Sequence, residues 1–230
     1  MRDSGNDRPS VTKWVVPMSE SRSSAKAATK KRRTDEIEHK VLEAVDRVDR
    51  ALGALLRERA MAIGVSPIQA SILCYVADER HPPAGIGELA REFGVTAPTV
   101  SEAVTSLESK GLVAKRSSRK DPRRVEITPT AKGRRLVELL EPWKLPAIES
   151  LSHLSSAEKE TLLVMLMRLI ESFQQSGVVS VARICFSCRY FEERSMTASK
   201  PRFRCGLLGE DLPPAALRVD CADWQAAGTR

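Results

Sequence analysis

Thr96-Ala97-Pro98-Thr99-Val100-Ser101-Glu102-Ala103-Val104-Thr105-Ser106-Leu107-Glu108-Ser109-Lys110-Gly111 is the stretch whose reading decides the fold. Thr96 is a good helix cap, and a proline at position 98 is tolerated because it falls in the first turn. With Val100 at the centre of a buried face, Ala103, Val104 and Leu107 fall beside it at helical spacing. The opposite face carries Pro98, Glu102, Thr105, Ser106 and Ser109, with Thr99 and Ser101 on its flanks. That face is small and polar, so the helix can approach another macromolecule closely. Lys110-Gly111 ends the helix. Residues 112–116 and 124–127 then read as two short strands, and the polar, basic turn 117–123 joins them into a hairpin.

The same reading extends upstream. Gly94 marks a tight turn, preceded by a short helix over 86–93. His81-Pro82-Pro83 breaks an earlier helix, which Ser66-Pro67-Ile68-Gln69 opens with a cap, a first-turn proline and a capping-box glutamine and which runs to about Asp78. Ile37, Val41, Val45, Val48, Leu52, Leu55 and Leu56 recur at three- and four-residue spacing and predict one long amphipathic helix over 35–60. Downstream, one helix starts near Thr130 and is interrupted around Pro142 and Pro146. Another opens at the capping box Ser155-Ser156-Ala157-Glu158 and carries Leu162, Leu163, Leu166, Leu169, Ile170 and Phe173. This order describes a mainly α winged helix-turn-helix, α with a small β-hairpin wing. Its helices carry more apolar surface than one small domain covers, which points to a helical dimer interface.

Charge locates a surface. The chain has a formal net charge of +7. Residues 1–34 hold nine Lys/Arg against three Asp/Glu, residues 35–176 hold 20 against 21, and residues 177–230 hold eight against six. Within the nearly neutral middle, ten cations lie between Lys110 and Arg135 against only Asp121 and Glu126. Such a patch is the electrostatic footprint of a nucleic-acid surface. Residues 1–34 read as a flexible basic arm, in which Lys30-Lys31-Arg32-Arg33 is a solvated run or a phosphate contact. Met18 competes with Met1 as the native start. No stretch approaches the roughly 18 uninterrupted apolar residues of a membrane span, and no apolar core of a signal peptide follows the N-terminus. The expected compartment is the cytoplasm, where thiols stay reduced.

Residues 99–113 resemble the recognition-helix segment of MarR-type regulators. Asp121-Pro122-Arg123-Arg124-Val125-Glu126-Ile127-Thr128-Pro129-Thr130-Ala131-Lys132-Gly133 resembles that family's wing and the helix start after it. The likeness runs over 35–176 in order and spacing. It implies a homodimer held by N- and C-terminal helices, with recognition helices in successive major grooves of double-stranded DNA and wing tips in the flanking minor grooves. By that likeness Thr96, Pro98, Thr99, Ser101, Glu102 and Thr105 on the helix face the DNA, with Arg119, Asp121, Arg123 and Arg124 on the wing. Arg123 matches the family position that enters the minor groove, and Asp121 would orient it through a bidentate pair. Glu102 departs from relatives that carry arginine there; a carboxylate accepts from cytosine N4 but repels phosphate. Family members often bind small aromatic acids between the dimerisation helices and the winged lobe. Nothing in the sequence marks such a pocket, so an effector of this kind is a fallback.

Residues 177–230 form an extension outside this resemblance. Four of the five cysteines lie there, spaced Cys185-x2-Cys188-x16-Cys205-x15-Cys221 among Phe186, Tyr190, Phe191, Phe203 and Trp224. Disulfides are disfavoured in a reducing compartment. Four thiolates suit structural zinc, although zinc ribbons usually bring two Cys-x-x-Cys knuckles and the second pair here is split. An iron–sulfur cluster, 4Fe–4S or 2Fe–2S, tolerates one such knuckle with two distant ligands and is favoured over zinc. The segment is too small to bury much surface alone, so metal would supply folding energy. Cys74 reads as a small buried hydrophobe, and His39, His81 and His153 as scattered surface or loop residues.

Three functions compete. A regulator whose cluster reports redox state, oxygen or iron leads, with a purely structural zinc and an aromatic-acid signal as its variant. A cluster-bearing nucleic-acid enzyme is the alternative of another class, but no paired carboxylates, no Ser/His/Asp set and no phosphate-binding loop support one. An architectural protein would bind DNA with little sequence preference.

Overall fold

The computed structural model describes residues 25–118, 121, 123–194 and 202–227. The chain divides into two compact units, residues 1–49 and 50–230. Helix α1 (Ala25–Ala62) is longer than its apolar stripe predicts. Of the expected flexible arm, residues 1–24 lie outside the described ones, and 25–34 are helical. Ala25, Ala27 and Ala28 have the highest helix propensity of any residue type, which overrides the polar composition there. In the first unit Ile37, Val41, Leu42 and Val48 stand about half exposed or more.

The second unit begins its core with α2 (Pro67–Ala77), α3 (Ile86–Phe93) and α4 (Ala97–Ser109). Each start has a local cause. Ser66 and Gln69 form the capping box of α2, and Thr96 accepts from the Thr99 amide at the head of α4. Gly94 closes α3 at φ 62°, a left-handed conformation that glycine adopts without a Cβ penalty, and so sets the turn between α3 and α4. Ile72, Leu73, Leu89, Val100, Val104 and Leu107 are fully buried together.

Strands β1 (Val113–Ser117) and β2 (Val125–Pro129) pair antiparallel, with Val113 opposite Pro129 and Ser117 opposite Val125. The Ile127 amide also donates to the Ala84 carbonyl at 2.9 Å, which ties the hairpin to the loop before α3. Helix α5 (Ala131–Leu140) follows, capped by Thr130. Its Gly133 passes so close to the residue before β1 that a Cβ would stand 2.1 Å from the Leu112 carbonyl oxygen. The predicted interruption appears as a 3₁₀ turn (Glu141–Lys144), the short α6 (Leu145–Ser150) and a second 3₁₀ turn (Leu151–His153).

Helix α7 (Ser156–Gln175) starts at its capping box, Ser155 with Glu158. The segment beyond it shares a core with α7. Met167 of α7 is fully buried against Ala182, Ile184, Phe186, Phe203 and Leu217. A 3₁₀ turn (Cys185–Ser187) leads into a three-stranded antiparallel sheet of β3 (Phe191–Arg194), β4 (Arg202–Cys205) and β5 (Glu210–Leu212), in that order. Arg168 of α7 donates to Glu193 of β3 at 2.5 Å and lies over the Phe186 ring.

Candidate nucleic-acid interface and cysteine pocket

Helix α4 presents the side expected of it. Val100, Ala103, Val104 and Leu107 are buried, while Thr96, Pro98, Thr99, Ser101, Glu102 and Thr105 are exposed. The Thr96 and Thr99 hydroxyls bond one another at 2.8 Å, so the helix head carries a preset pair of short hydroxyl groups. Glu102 stands exposed among neutral neighbours.

The basic patch is less uniform than its count of cations. Lys110 donates to the Gly64 carbonyl at 2.8 Å and to Gln69 at 3.1 Å. Lys115 pairs with Glu108, and Lys132 donates to the Lys110 carbonyl. Arg124 donates to the Pro83 carbonyl at 3.1 Å and pairs with Glu88. These cations fasten helices and wing to each other. Asp121 takes a different part from the expected one. Its side chain accepts from the Arg123 backbone amide at 3.0 Å, and its carbonyl accepts from the Arg124 amide at 2.9 Å. An acceptor two residues from its donor closes the turn more readily than it reaches the end of a long guanidinium. Arg123 is exposed at the hairpin tip, and Arg119 lies outside the described residues.

Cys185, Cys188, Cys205 and Cys221 line one pocket, walled by Phe191 and Leu212. The knuckle supplies the first pair, the end of β4 the third and the loop before Trp224 the fourth. That loop is held in place by the Arg218 amide, which donates to Cys185 Sγ at 3.2 Å, and by the Cys221 amide, which donates to the Arg183 carbonyl at 2.9 Å. Burial pushes the Cys185 thiol above its ordinary pKa; the Arg218 amide opposes this, and the three other cysteines push it further up. Among the described residues, no group of three or more His, Cys, Asp or Glu side chains is placed to hold a single metal ion.

Beside this pocket lies a network that the sequence reading missed. Arg183 grips Glu92 of α3 with both terminal nitrogens at 3.2 Å, donates through Nε to Asp220 at 2.8 Å and reaches the Tyr75 hydroxyl at 3.3 Å. Burial works against the charged guanidinium, but Asp220 and Glu92 raise its pKa above the ordinary value. His81 lies in a loop, as expected, but its ring is held on both sides. It bridges Asp220 and the Tyr75 carbonyl and stacks on the Tyr75 ring at 4.1 Å between centroids. Its side chain is only 11% exposed. Burial raises the pKa of Asp220, yet the Arg183 and His81 bonds outweigh it and hold the carboxyl below its usual value. His39 and His153 are exposed, as expected.

A groove of about 1140 Å³ opens next to this network, lined in part by Tyr75, Arg80, Phe93, Trp143, Lys144 and Arg218. It left no sequence signal because its walls come from α1, α2, α3, the α5–α6 junction and the loop around residue 218. Cys74 also lines it, half-buried, with its thiol pKa raised by burial and by Glu141 against Lys144.

Residues 63–124, from the end of α1 to the wing, match the family model described as the MarR family. The match covers this segment of the chain, its MarR-like domain. Among solved structures, the transcriptional regulator BldR from Sulfolobus solfataricus is 27% identical, with 60% of this chain and 96% of that one covered at a TM-score of 0.50. MepR of Staphylococcus aureus in its DNA-binding conformation is 23% identical, covering 58% and 98% at 0.53. A MarR protein from Peptoclostridium difficile is 21% identical, covering 59% and 88%, also at 0.53. No curated protein matches the chain. The MarR domain contains all of α2 to α4, Glu92 and the wing tip, and the four-cysteine pocket lies outside the matched residues. No single described helix is long and apolar enough to cross a membrane.

Proposed function

We propose that this chain is a cytoplasmic, sequence-specific DNA-binding transcription repressor of the MarR type, acting as a homodimer on a palindromic site. The observation that carries the reading is α4: a capped helix with a bare, small, polar face, next to a hairpin whose tip bears Arg123. Short hydroxyl groups can reach base edges and phosphates, and an arginine at a wing tip fits a narrow minor groove. The likeness to BldR, a transcriptional regulator, supports regulation rather than catalysis. Exposed Leu145, Ile148 and Met165 in the second unit, and Ile37 and Val48 in the first, supply apolar surface for a second copy.

The four-cysteine pocket fits an iron–sulfur cluster, held by Cys185, Cys188, Cys205 and Cys221. Four cysteines line one pocket with Phe191 and Leu212 in its wall, and four thiolates in an apolar surround are a ligand set that such a cluster takes. Packing four thiolates together is unfavourable without a cationic centre between them. When bound, a cluster supplies an oxygen- and redox-sensitive centre. The chain's own part is to hold the knuckle, the end of β4 and the residue 218–221 loop together. The second reading pairs a structural zinc with a small aromatic acid as the signal; what favours that signal is the groove, whose Tyr75, Phe93 and Trp143 rings with Arg80 and Lys144 suit such an acid.

The test is direct. Protein purified without air is assayed for iron, sulfide and zinc and for visible absorption. It is also used to select a duplex from a random-sequence pool, and binding of that duplex is compared before and after metal removal. Iron with sulfide and a weaker stripped complex are expected. Zinc in a colourless sample overturns the cluster, equal affinities overturn sensing, and failure to enrich any sequence overturns a specific regulator.

A further inference from the structure

Arg183 and Asp220 occupy particular places in the chain. One lies two residues before Cys185 and the other directly precedes Cys221, so the cysteine pocket sets the distance between them. They meet at 2.8 Å, and each reaches into the MarR domain, Arg183 to Glu92 of α3 and Asp220 to His81 behind α2. The contacts span 91 and 139 residues of sequence and are largely shielded from water.

Glu92 sits in the last turn of α3, at the negative end of the helix dipole. A carboxylate there disfavours the helix end unless a cation faces it. Arg183 is that cation, and it grips both carboxylate oxygens. One residue separates Glu92 from Gly94, whose left-handed turn aims α4. The end of α3 is therefore stabilised by a residue that the cysteine pocket holds in position.

We infer that Arg183, Asp220, Glu92 and His81 form a latch within one protomer, through which the state of the four-cysteine site governs the order of α3 and α4. This rests on the reading of the pocket as a metal site. When the site is filled, residues 183–185 and 218–221 are drawn together, the arginine is locked between two carboxylates, and the helix pair is firm. When the site is emptied, the two segments separate, Glu92 loses its cation, and the end of α3 with its turn loosens. The surface altered is the one that faces DNA, so the signal does not have to pass through the dimer.

Hydrogen–deuterium exchange on the full chain tests this, with metal content measured on the same samples. Wild type, Glu92→Gln and Arg183→Lys are each compared as purified without air and after stripping by chelator. In wild type, stripping is expected to speed exchange at 183–222 and also, by about fivefold or more, at 86–109. Glu92→Gln should speed 86–109 in the loaded protein, with little added by stripping; Arg183→Lys, which keeps the charge but not the two-pronged grip, should fall between. If stripping loosens 183–222 and leaves 86–109 unchanged, the latch is overturned while the metal site stands. If no preparation holds metal, the metal reading fails, and the latch is judged on Glu92→Gln alone. It then requires faster exchange at 217–222, across the ion pair, and unchanged exchange there overturns it.

Discussion

Arg123 and Arg124 are neighbours with the same charge and opposite duties. Arg124 is bound to Pro83 and Glu88, whereas Arg123 stands exposed at the wing tip with its backbone fixed by Asp121. Substituting each with glutamine should separate the two. Arg123→Gln is expected to leave the melting temperature unchanged and to reduce the slope of log affinity against log salt by about one per protomer. Arg124→Gln should keep that slope and lower stability by less than about 1 kcal/mol, since its partners are partly exposed. Salt titrations of duplex binding and thermal melts of both variants decide it; equal slopes for Arg123→Gln and wild type would remove the wing tip from the interface.

At the scale of elements, α7 does two jobs. Exposed Met165 leaves apolar surface for a second copy, while Met167 is fully enclosed by the cysteine segment. Met167→Ala is expected to cost about 2–5 kcal/mol, as other large-to-small core changes do. The damage should appear first as faster proteolysis between residues 178 and 227, with the MarR domain cut later; simultaneous cutting would mean that α7 does not carry the segment. Much of the architecture was legible in the sequence because its signals are local. Ser66 with Gln69, Gly94, Thr96, Thr130 and Ser155 mark their helix ends within three residues of where the structure places them. The strands β3 to β5 were not legible, since they are four, four and three residues long, too short for alternation to register. The latch was hidden for another reason: a pair separated by 91 residues leaves no periodic trace. For the basic patch, sequence could count the cations but could not tell one exposed like Arg123 from one tied to Gly64 or Glu88.

In the second unit the Met167 core fastens the cysteine segment to α7, and the Arg183 network fastens it to residues 63–124. Such coupling is expected to make residues 50–230 unfold as one body. Trp143 lines the groove and Trp224 lies in the cysteine segment, where it donates to Ser187 at 3.0 Å. Variants that keep only one of these tryptophans should report the same denaturant midpoint and the same slope. An earlier transition at Trp224 would show a segment that melts independently of the domain it contacts.

The 91-residue spacing between Glu92 and Arg183 also orders events during synthesis. At roughly 5–20 residues per second, a ribosome takes on the order of 5–20 seconds to reach the arginine after the glutamate. During that interval α3 has emerged with a carboxylate in its last turn but without the arginine that grips it in the finished chain. Cys221 emerges later still, so the pocket that fixes Arg183 cannot assemble before then. A nascent chain and a finished one therefore differ at the helix pair proposed to read DNA, although the sequence of that pair is already complete. Maturation of the reader surface is timed by translation of a segment that lies outside it.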